Sequence, residues 1–481
     1  MKCFSLCVLF LAVILSATSA IAFQADSSVA DAMEKQDWKL VVVELGKGAD
    51  VSVAQPDGMT ALHWSVFHGD LKISRYLMER GAAADAKTAY DVTPLSLACE
   101  LGHAEIVGKM LELYPELDLE SKRLSGETPL LLAAKNGNAK LVRSLIDAGA
   151  KVDAKIGKDQ NALMWAAEAG NVEAVDELLK AGADFKHATG LGFTPLLFAA
   201  RQGNTDCVMR LLDEKIDVNA TMKVKKSNGR KPRSGTSALI LAIESGHFEL
   251  ALKLIDKGAD PNDQRCGLAP LHLITMVRKT ECGESALGDP PPRTTGSVNS
   301  LDFVRALVKL GADINLQLRK GKSPRKCKLN TKGMTPFIYA SRSADIELMK
   351  LFLELGADPI LTNADGCTAL MAAAGVGVIA VGEEPGTEEE VDQAIEMLVE
   401  LGIDINTVDK NGETAMHGAA YRCFPSAVRK LAELGADPEI WNKKNKHRWT
   451  PHLIASGKRP GSVKPSPPTT AALDEAMKVK P

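Results

Sequence analysis

Residues 128–150 read TPLLLAAKNGNAKLVRSLIDAGA, and this stretch decides the fold. Thr128 is a good helix N-cap, its hydroxyl placed to accept from a free backbone N–H of the first turn. Pro129 follows at the first helical position, where no N–H is needed. Leu130, Ala133 and Ala134 make a narrow apolar stripe, and small residues let neighbouring helices approach closely. Gly137 can take the left-handed conformation that ends a helix. A second helix is expected over Ala139–Ala148, closed by Gly149. The same signature recurs at Thr60, Thr93, Asn161, Thr194, Ser237, Ala269, Thr335, Thr368, Thr414 and Thr450, most often 33 residues apart. A Gly-Ala-Asp-like triplet follows most copies by 21 residues, at Gly81, Gly149, Gly182, Gly258, Gly356 and Gly435. A fixed period of this length means stacked repeats, each able to bury its apolar stripe only against a neighbour.

These eleven copies resemble ankyrin repeats in period and signature. The resemblance implies an all-α solenoid of helix-turn-helix units joined by β-hairpin-like fingers, about 11–12 units counting caps. It assigns residues 23–455 to the stack. It further implies binding at the finger tips and at the last exposed turn of the first helix. By position, the finger contacts are Met59, Tyr90, Val92, Leu191, Phe193 and Met334. The helix contacts, seven residues after each Thr, are Phe67, Lys135, Arg201, Arg342 and Tyr421. His63, His272 and His417 fall where the family uses a histidine for backbone hydrogen bonds. Departures are Tyr114-Pro115 and Lys215-Ile216 in place of Gly-Ala, and Ala344 and Cys423 where a helix-ending Gly belongs. Local distortion is expected there.

The chain opens with Lys2, an apolar run from Cys3 to Leu15, and Ala20-Ile21-Ala22 before Phe23. This reads as a secretory signal peptide, residues 1–22, cleaved between Ala22 and Phe23. Export to the periplasm or the exterior is the expectation, with no membrane span in the mature chain. Cleavage would move the formal net charge from −3 to −4. Residues 27–55 read as an N-terminal cap with a polar outer face. Residues 456–481 form a Pro-rich tail, in which Thr469–Lys478 suits either a short closing helix or a frayed end.

Four insertions break the period. Segment 223–233 carries Lys223, Lys225, Lys226, Arg230, Lys231 and Arg233 and no acid. Segment 319–332 carries Arg319, Lys320, Lys322, Arg325, Lys326, Lys328 and Lys332, again without an acid. Both lie at finger positions two repeats apart, so their tips start roughly 20 Å from each other and could touch one anionic partner. The rest of the mature chain then holds 44 cations against 61 acids. Segments 278–300, with Pro290-Pro291-Pro292, and 377–391, with Glu383, Glu384 and Glu388–Glu390, fall between first and second helices. They are expected on the edge opposite the fingers. The acidic run lacks calcium-loop spacing, and negative charge suits the helix start that follows it.

No H-E-x-x-H, haem, phosphate-loop or G-x-S-x-G motif occurs, so no cofactor, metal or catalytic residue is expected. Aromatics are only 5%, none lies in the basic segments, and nucleic acid is not an expected partner. Cys99 and Cys207 read as buried thiols, whereas an oxidising compartment would permit a bridge such as Cys266 to Cys327. The sequence therefore points to a monomeric, non-catalytic module that binds a protein partner, with the basic segments suited to an anionic one. Two alternatives stay open: an anionic-polysaccharide binder, and an enzyme or sensor with its site in the inserted loops.

Overall fold

The computed structural model describes residues 27–157, 159–224, 233–279, 295–321, 329–379, 381–382, 385–459 and 464–479. Ala22 and Phe23 lie outside them, as do Lys225, Lys226, Arg230, Lys231, Lys322, Arg325, Lys326, Cys327, Lys328 and the Pro290–Pro292 run. The chain divides into two units, Met1–His187 and Ala188–Pro481. In the first, helix pairs follow in order: α1 (Ser28–Glu34) and α2 (Trp38–Gly46), α3 (Ala61–Phe67) and α4 (Leu71–Met78), α5 (Pro94–Leu101) and α6 (Ala104–Leu113), α7 (Pro129–Asn136) and α8 (Ala139–Asp147), α9 (Ala162–Ala169) and α10 (Val172–Lys180). The second holds α11 (Pro195–Gln202) and α12 (Thr205–Leu212), α13 (Ala238–Glu244) and α14 (Phe248–Asp256), α15 (Pro270–Arg278) and α16 (Ser300–Lys309). It continues with α17 (Pro336–Arg342) and α18 (Ile346–Glu354), α19 (Ala369–Ala374) and α20 (Glu388–Glu400), α21 (Ala415–Arg422) and α22 (Pro425–Glu433). Three short closing helices follow: α23 (Pro438–Trp441), α24 (Pro451–Ala455) and α25 (Pro467–Ala476). No strand forms among the described residues; the fingers carry only single antiparallel bridges, Ile156 to Gln160 and Thr221 to Ser237.

Each capping residue acts as its chemistry dictates. Thr128 accepts from the Leu131 N–H at 3.4 Å and Thr368 from Met371 at 3.2 Å, and Asn161 serves the same role for Met164 at 3.1 Å. Inside each unit first helix packs on first helix through small residues: Ala133, Ala134, Ala166 and Ala167 in one, Ala199, Ala200, Ala372 and Ala373 in the other are all fully buried. The buried histidines complete the fingers. In the tautomer that satisfies both nitrogens of His63, Nδ1 accepts from the Thr60 N–H and the Nε2–H donates to the Val92 carbonyl. His417 repeats this between Thr414 and Lys443, and His272 donates to the Met334 carbonyl. Burial pulls His272 and His417 down to about 4, so both are neutral at pH 7.

Turns on the far side of the fingers are tied repeat to repeat. In the second unit Asn219, Asn262, Asn315 and Asn406 each donate to the carbonyl of the next repeat's closing Gly, and each accepts from the N–H two residues beyond it. The first unit has Ser52, Glu120 and Asp153 at that position; each accepts the N–H, and only Ser52 also donates, weakly, at 3.4 Å.

The departures from the repeat pattern act locally, and one expectation, on the N-terminal cap, needs correction. Lys215, Ala344 and Cys423 keep the left-handed backbone of the Gly they replace (φ 57°, 48° and 59°), so the strain stays local and no distortion spreads from it. The Tyr114 hydroxyl instead reaches back to the preceding repeat's turn, donating to the Ala82 carbonyl at 2.7 Å. The outer face of the N-terminal cap is not polar throughout: Leu40, Val42 and Val43 of α2 are exposed. At the other end α25 packs on α22 and α24, burying Ala472, Leu473 and Ala476.

Candidate interaction surfaces

In the first unit the carried-over positions present large side chains to solvent. Phe67 ends α3 and is 52% exposed, its ring edge-on to Trp64 at 5.7 Å. Tyr90, at a finger tip, is 70% exposed. The next finger bonds directly to it, Leu124 N–H donating to the Tyr90 carbonyl at 3.2 Å, and Leu124 is itself 72% exposed. Met59 is half-buried at the base of its finger. Lys135 is exposed on the last turn of α7 with its ammonium 5.1 Å from the Trp165 ring centre. These groups come from adjoining repeats of one unit and share its finger and first-helix side. Leu124 was missed in the sequence because its finger begins irregularly, after Tyr114-Pro115.

The second unit differs at the matching positions. Phe193 is not a surface contact: it is buried, stacked obliquely on Phe198 at 5.1 Å and covered by the Arg201 guanidinium at 5.0 Å. Arg201 is thereby drawn half into the structure. Tyr421 is a second correction, with no exposed area at all. Its hydroxyl donates to Glu413 Oε1 at 3.0 Å, and the Asn445 amide donates to the same oxygen at 2.8 Å. Arg459 lies over Tyr421, its guanidinium 5.1 Å from the ring centre, and ties it to the start of segment 377–391. Val376 and Val378 are buried, and Arg459 donates to the Val378 carbonyl at 3.0 Å and to the Tyr421 carbonyl at 2.9 Å. Arg422, also buried, donates to the carbonyls of Arg342 and Pro385, at 2.6 and 3.2 Å. The stretch Gly375–Val378 is thus a strap lying across the first helices. Two glycines make it possible: Gly375 and Gly377 have φ of 116° and 95°. A Cβ at Gly418 would stand 2.8 Å from the Val376 nitrogen, and one at Gly377 would stand 2.6 Å from the Leu329 nitrogen. The strap therefore reaches toward the finger edge. The expectation that this whole insertion projects from the opposite edge fails because Gly-Val-Gly-Val is apolar and thin enough to bury against backbone.

The described ends of the other inter-helix insertion lie by the second-helix starts. Arg278 donates to Asp345 at 2.7 Å and to Glu347 at 2.8 Å, and Lys279 pairs with Glu390 at 2.7 Å. Ser297 returns to Glu249 at the start of α14, through its N–H at 2.7 Å. Glu390 also completes a capping box on α20, so this carboxylate of the acidic run has structural work.

Of the basic fingers, Lys223, Arg319 and Lys320 are exposed, while Arg233 is half-buried and ion-paired with Glu244. Arg342 is half-buried. The roots of both insertions are paired backbone: Met222 N–H donates to the Thr236 carbonyl and Leu318 N–H to the Met334 carbonyl, at 2.8 and 3.1 Å. A further basic tip escaped the sequence reading because it interrupts no spacing. Lys443, Lys444, Lys446 and Arg448 are all exposed at the last finger.

Among the described residues, no group of three or more His, Cys, Asp or Glu side chains could hold a metal ion, and no helix is long and apolar enough to cross a membrane. The described cysteines are free thiols; Cys327 lies outside them.

Repeat period, capping, helix pairing and fingers define a protein of the repeat-stack class. Its family is shown by sequence: profiles described as Ankyrin repeats match residues 31–122, 109–189, 184–265 and 295–381, and again 388–451. The chain belongs to the ankyrin-repeat family, whose fold is generally non-catalytic. It is similar to Ankyrin repeat and SOCS box protein 16 of Mus musculus, 25% identical over 43% of this chain and 45% of that one. Similarity extends to the Phosphocholine transferase AnkX of Legionella pneumophila, 24% identical over 50% of this chain and 26% of that one. The ankyrin repeat domain of human ASB11 superposes with a TM-score of 0.40 at 24% identity, over 48% of this chain and 98% of that domain. The matches span less than half the length of these curated relatives.

Proposed function

We propose that this chain is an exported, monomeric, non-catalytic binding module that grips a protein partner on the finger and first-helix side of its first unit. The basic fingers of the second unit add contacts to anionic parts of that partner. The reading rests on one observation above the rest: Phe67, Tyr90 and Leu124 are large apolar side chains left mostly exposed in successive repeats of a well-packed unit. Aromatic residues are enriched at interface hot spots, and clustered apolar exposure on a soluble fold marks a contact surface.

The test places a photo-crosslinking phenylalanine analogue at position 67 or 90 in cells, with Asp147 on the back of α8 as control. Discrete crosslinked species at 67 and 90, absent at 147, are expected. No species, or the same species at all three, would count against the surface. Export is checked by N-terminal sequencing of the secreted or periplasmic protein, expected to begin at Phe23.

A further inference from the structure

The finger tips at the C-terminal end of the second unit form a continuous row, joined tip to tip by backbone hydrogen bonds. Ala364 N–H donates to the Lys332 carbonyl at 2.8 Å, Lys410 N–H to the Asp365 carbonyl at 2.8 Å, and Lys446 N–H to the Asn411 carbonyl at 2.7 Å. Four successive fingers are therefore fixed in register at their outermost residues. Along this row Lys332, Lys410, Lys443, Lys444, Lys446 and Arg448 are exposed. The neighbouring acids are turned inward and used. Asp365 accepts from Asn330 at 3.1 Å and from Asn411 at 3.3 Å. Asp409 is buried and accepts the N–H groups of Asn411 and Glu413, each at 2.8 Å. Glu413 is buried against Tyr421 and Asn445. The edge thus sets exposed cations against inward-turned carboxyl groups, with the Lys410 ammonium resting on the Ala364 carbonyl at 2.7 Å.

We infer that this row is a docking edge for an extended acidic segment of a protein partner. Layers of packed helices repeat about every 10 Å, so four tips span about 30 Å. An extended chain rises about 3.3 Å per residue, so roughly nine residues cover the row, with one carboxylate needed at about every third. The cations are mostly lysines, compact point charges on flexible stems, which suit charge matching along a flexible chain rather than forked recognition of a single fixed group. Among these cations Val408 is half exposed beside Lys410, a single small apolar side chain and too little to anchor on a lipid surface, which favours a peptide over a membrane. The inference deepens the proposed function and rests on its reading of the chain as a protein binder.

The experiment uses the full mature chain and a fluorescein-labelled twelve-residue peptide with Glu at every third position, followed by anisotropy at 50 mM salt. Saturable binding is expected, weakening at least about tenfold when Lys332, Lys410 and Lys446 are all replaced by Gln, and retained when all three are replaced by Arg. Raising salt to 300 mM should also weaken it. Lys444→Gln with Lys446→Gln, two changes at exposed positions, serves as a second variant should the triple one lose helicity by circular dichroism; a severalfold loss is expected from it. No binding by the wild type, or equal binding by the Gln variants, overturns the inference. So does tight sedimentation with phosphatidylserine vesicles that the peptide fails to displace. Lost peptide binding with intact crosslinking through positions 67 and 90 overturns this edge alone; the reverse result overturns the first-unit surface alone.

Discussion

Phe67 and Tyr421 occupy the same place in their repeats, seven residues after the capping threonine, yet one is 52% exposed and the other is sealed. Nothing in the repeat itself makes the difference. In the first unit the last turn of α3 faces open solvent. At the end of the second unit a strap from a neighbouring repeat and an arginine beyond the last repeat lie over the equivalent turn. Position within a repeat therefore defines which side of the stack a side chain is on, and only long-range structure decides whether that side is free. Phe67 is available to a partner; Tyr421 is already occupied by the chain itself.

The largest expected effect breaks this contrast. Tyr421→Ala should destabilise the second unit by about 4 kcal/mol, the usual cost of emptying a large aromatic site, and should expose Val376 and Val378. Phe67→Ala should cost at most about 1 kcal/mol, since the ring keeps half its area in water. Urea unfolding followed by hydrogen exchange, read separately for peptides of each unit, measures both. Equal losses at the two sites would mean the strap does not seal Tyr421.

A smaller effect sharpens the chemistry under the strap. Glu413 is pushed up to about 8, chiefly by burial and secondarily by the nearby Asp409 carboxylate, against the hydrogen bonds from Tyr421 and Asn445. Cys367, raised by its own burial, and through it Asp365 border the same cluster. A carboxyl with a raised folded pKa holds its proton longer in the native state than in the unfolded one. Its contribution is most favourable below the unfolded value near 4.5 and is lost as pH rises toward 8. Glu413→Gln keeps an oxygen acceptor without the titration. It should stabilise the second unit by about 2 kcal/mol at pH 7.5 and by little at pH 4.5. His417 acts on the acid side with the opposite slope: buried neutral at about 4, it costs stability as pH falls below 6.5. A melting series from pH 4.5 to 8.5 reads both; an unchanged alkaline limb in the Gln variant would refute the assignment.

How much of this could be read from the sequence follows from which interactions are local. Helix starts, helix ends and the tucked histidines depend on residues three to nine apart, so the Thr-Pro-Leu-His period revealed them. Phe67 and Tyr90 were legible as exposed positions because no insertion reaches them. Phe193 and Tyr421 were not, because Arg201 and Arg459 cover them from eight and 38 positions away. The strap was misplaced because its acidic continuation drew the eye, while the four residues that matter are small and apolar. The lysines of the last finger fit the period, so no break in spacing marks them as the insertions are marked.

The smallest effect concerns the turns that tie one repeat to the next. In the second unit an asparagine amide makes two bonds across the step, as Asn219 does with Gly258 and Asp260, both at 2.9 Å. At the matching place in the first unit Asp153 accepts the Asp184 N–H at 3.1 Å but has no hydrogen to offer the Gly182 carbonyl. Asp153→Asn supplies that donor and removes a charge close to Asp184. A gain of about 0.5 kcal/mol is expected, the net worth of one exposed neutral hydrogen bond. The converse change, Asn219→Asp, should cost a similar amount, because the carboxylate would face the Gly258 carbonyl. Paired denaturation curves resolve the two signs. If both substitutions shift stability in the same direction, the asparagine clasp is not what distinguishes the turns of the two units, and the difference must lie in the charges around them.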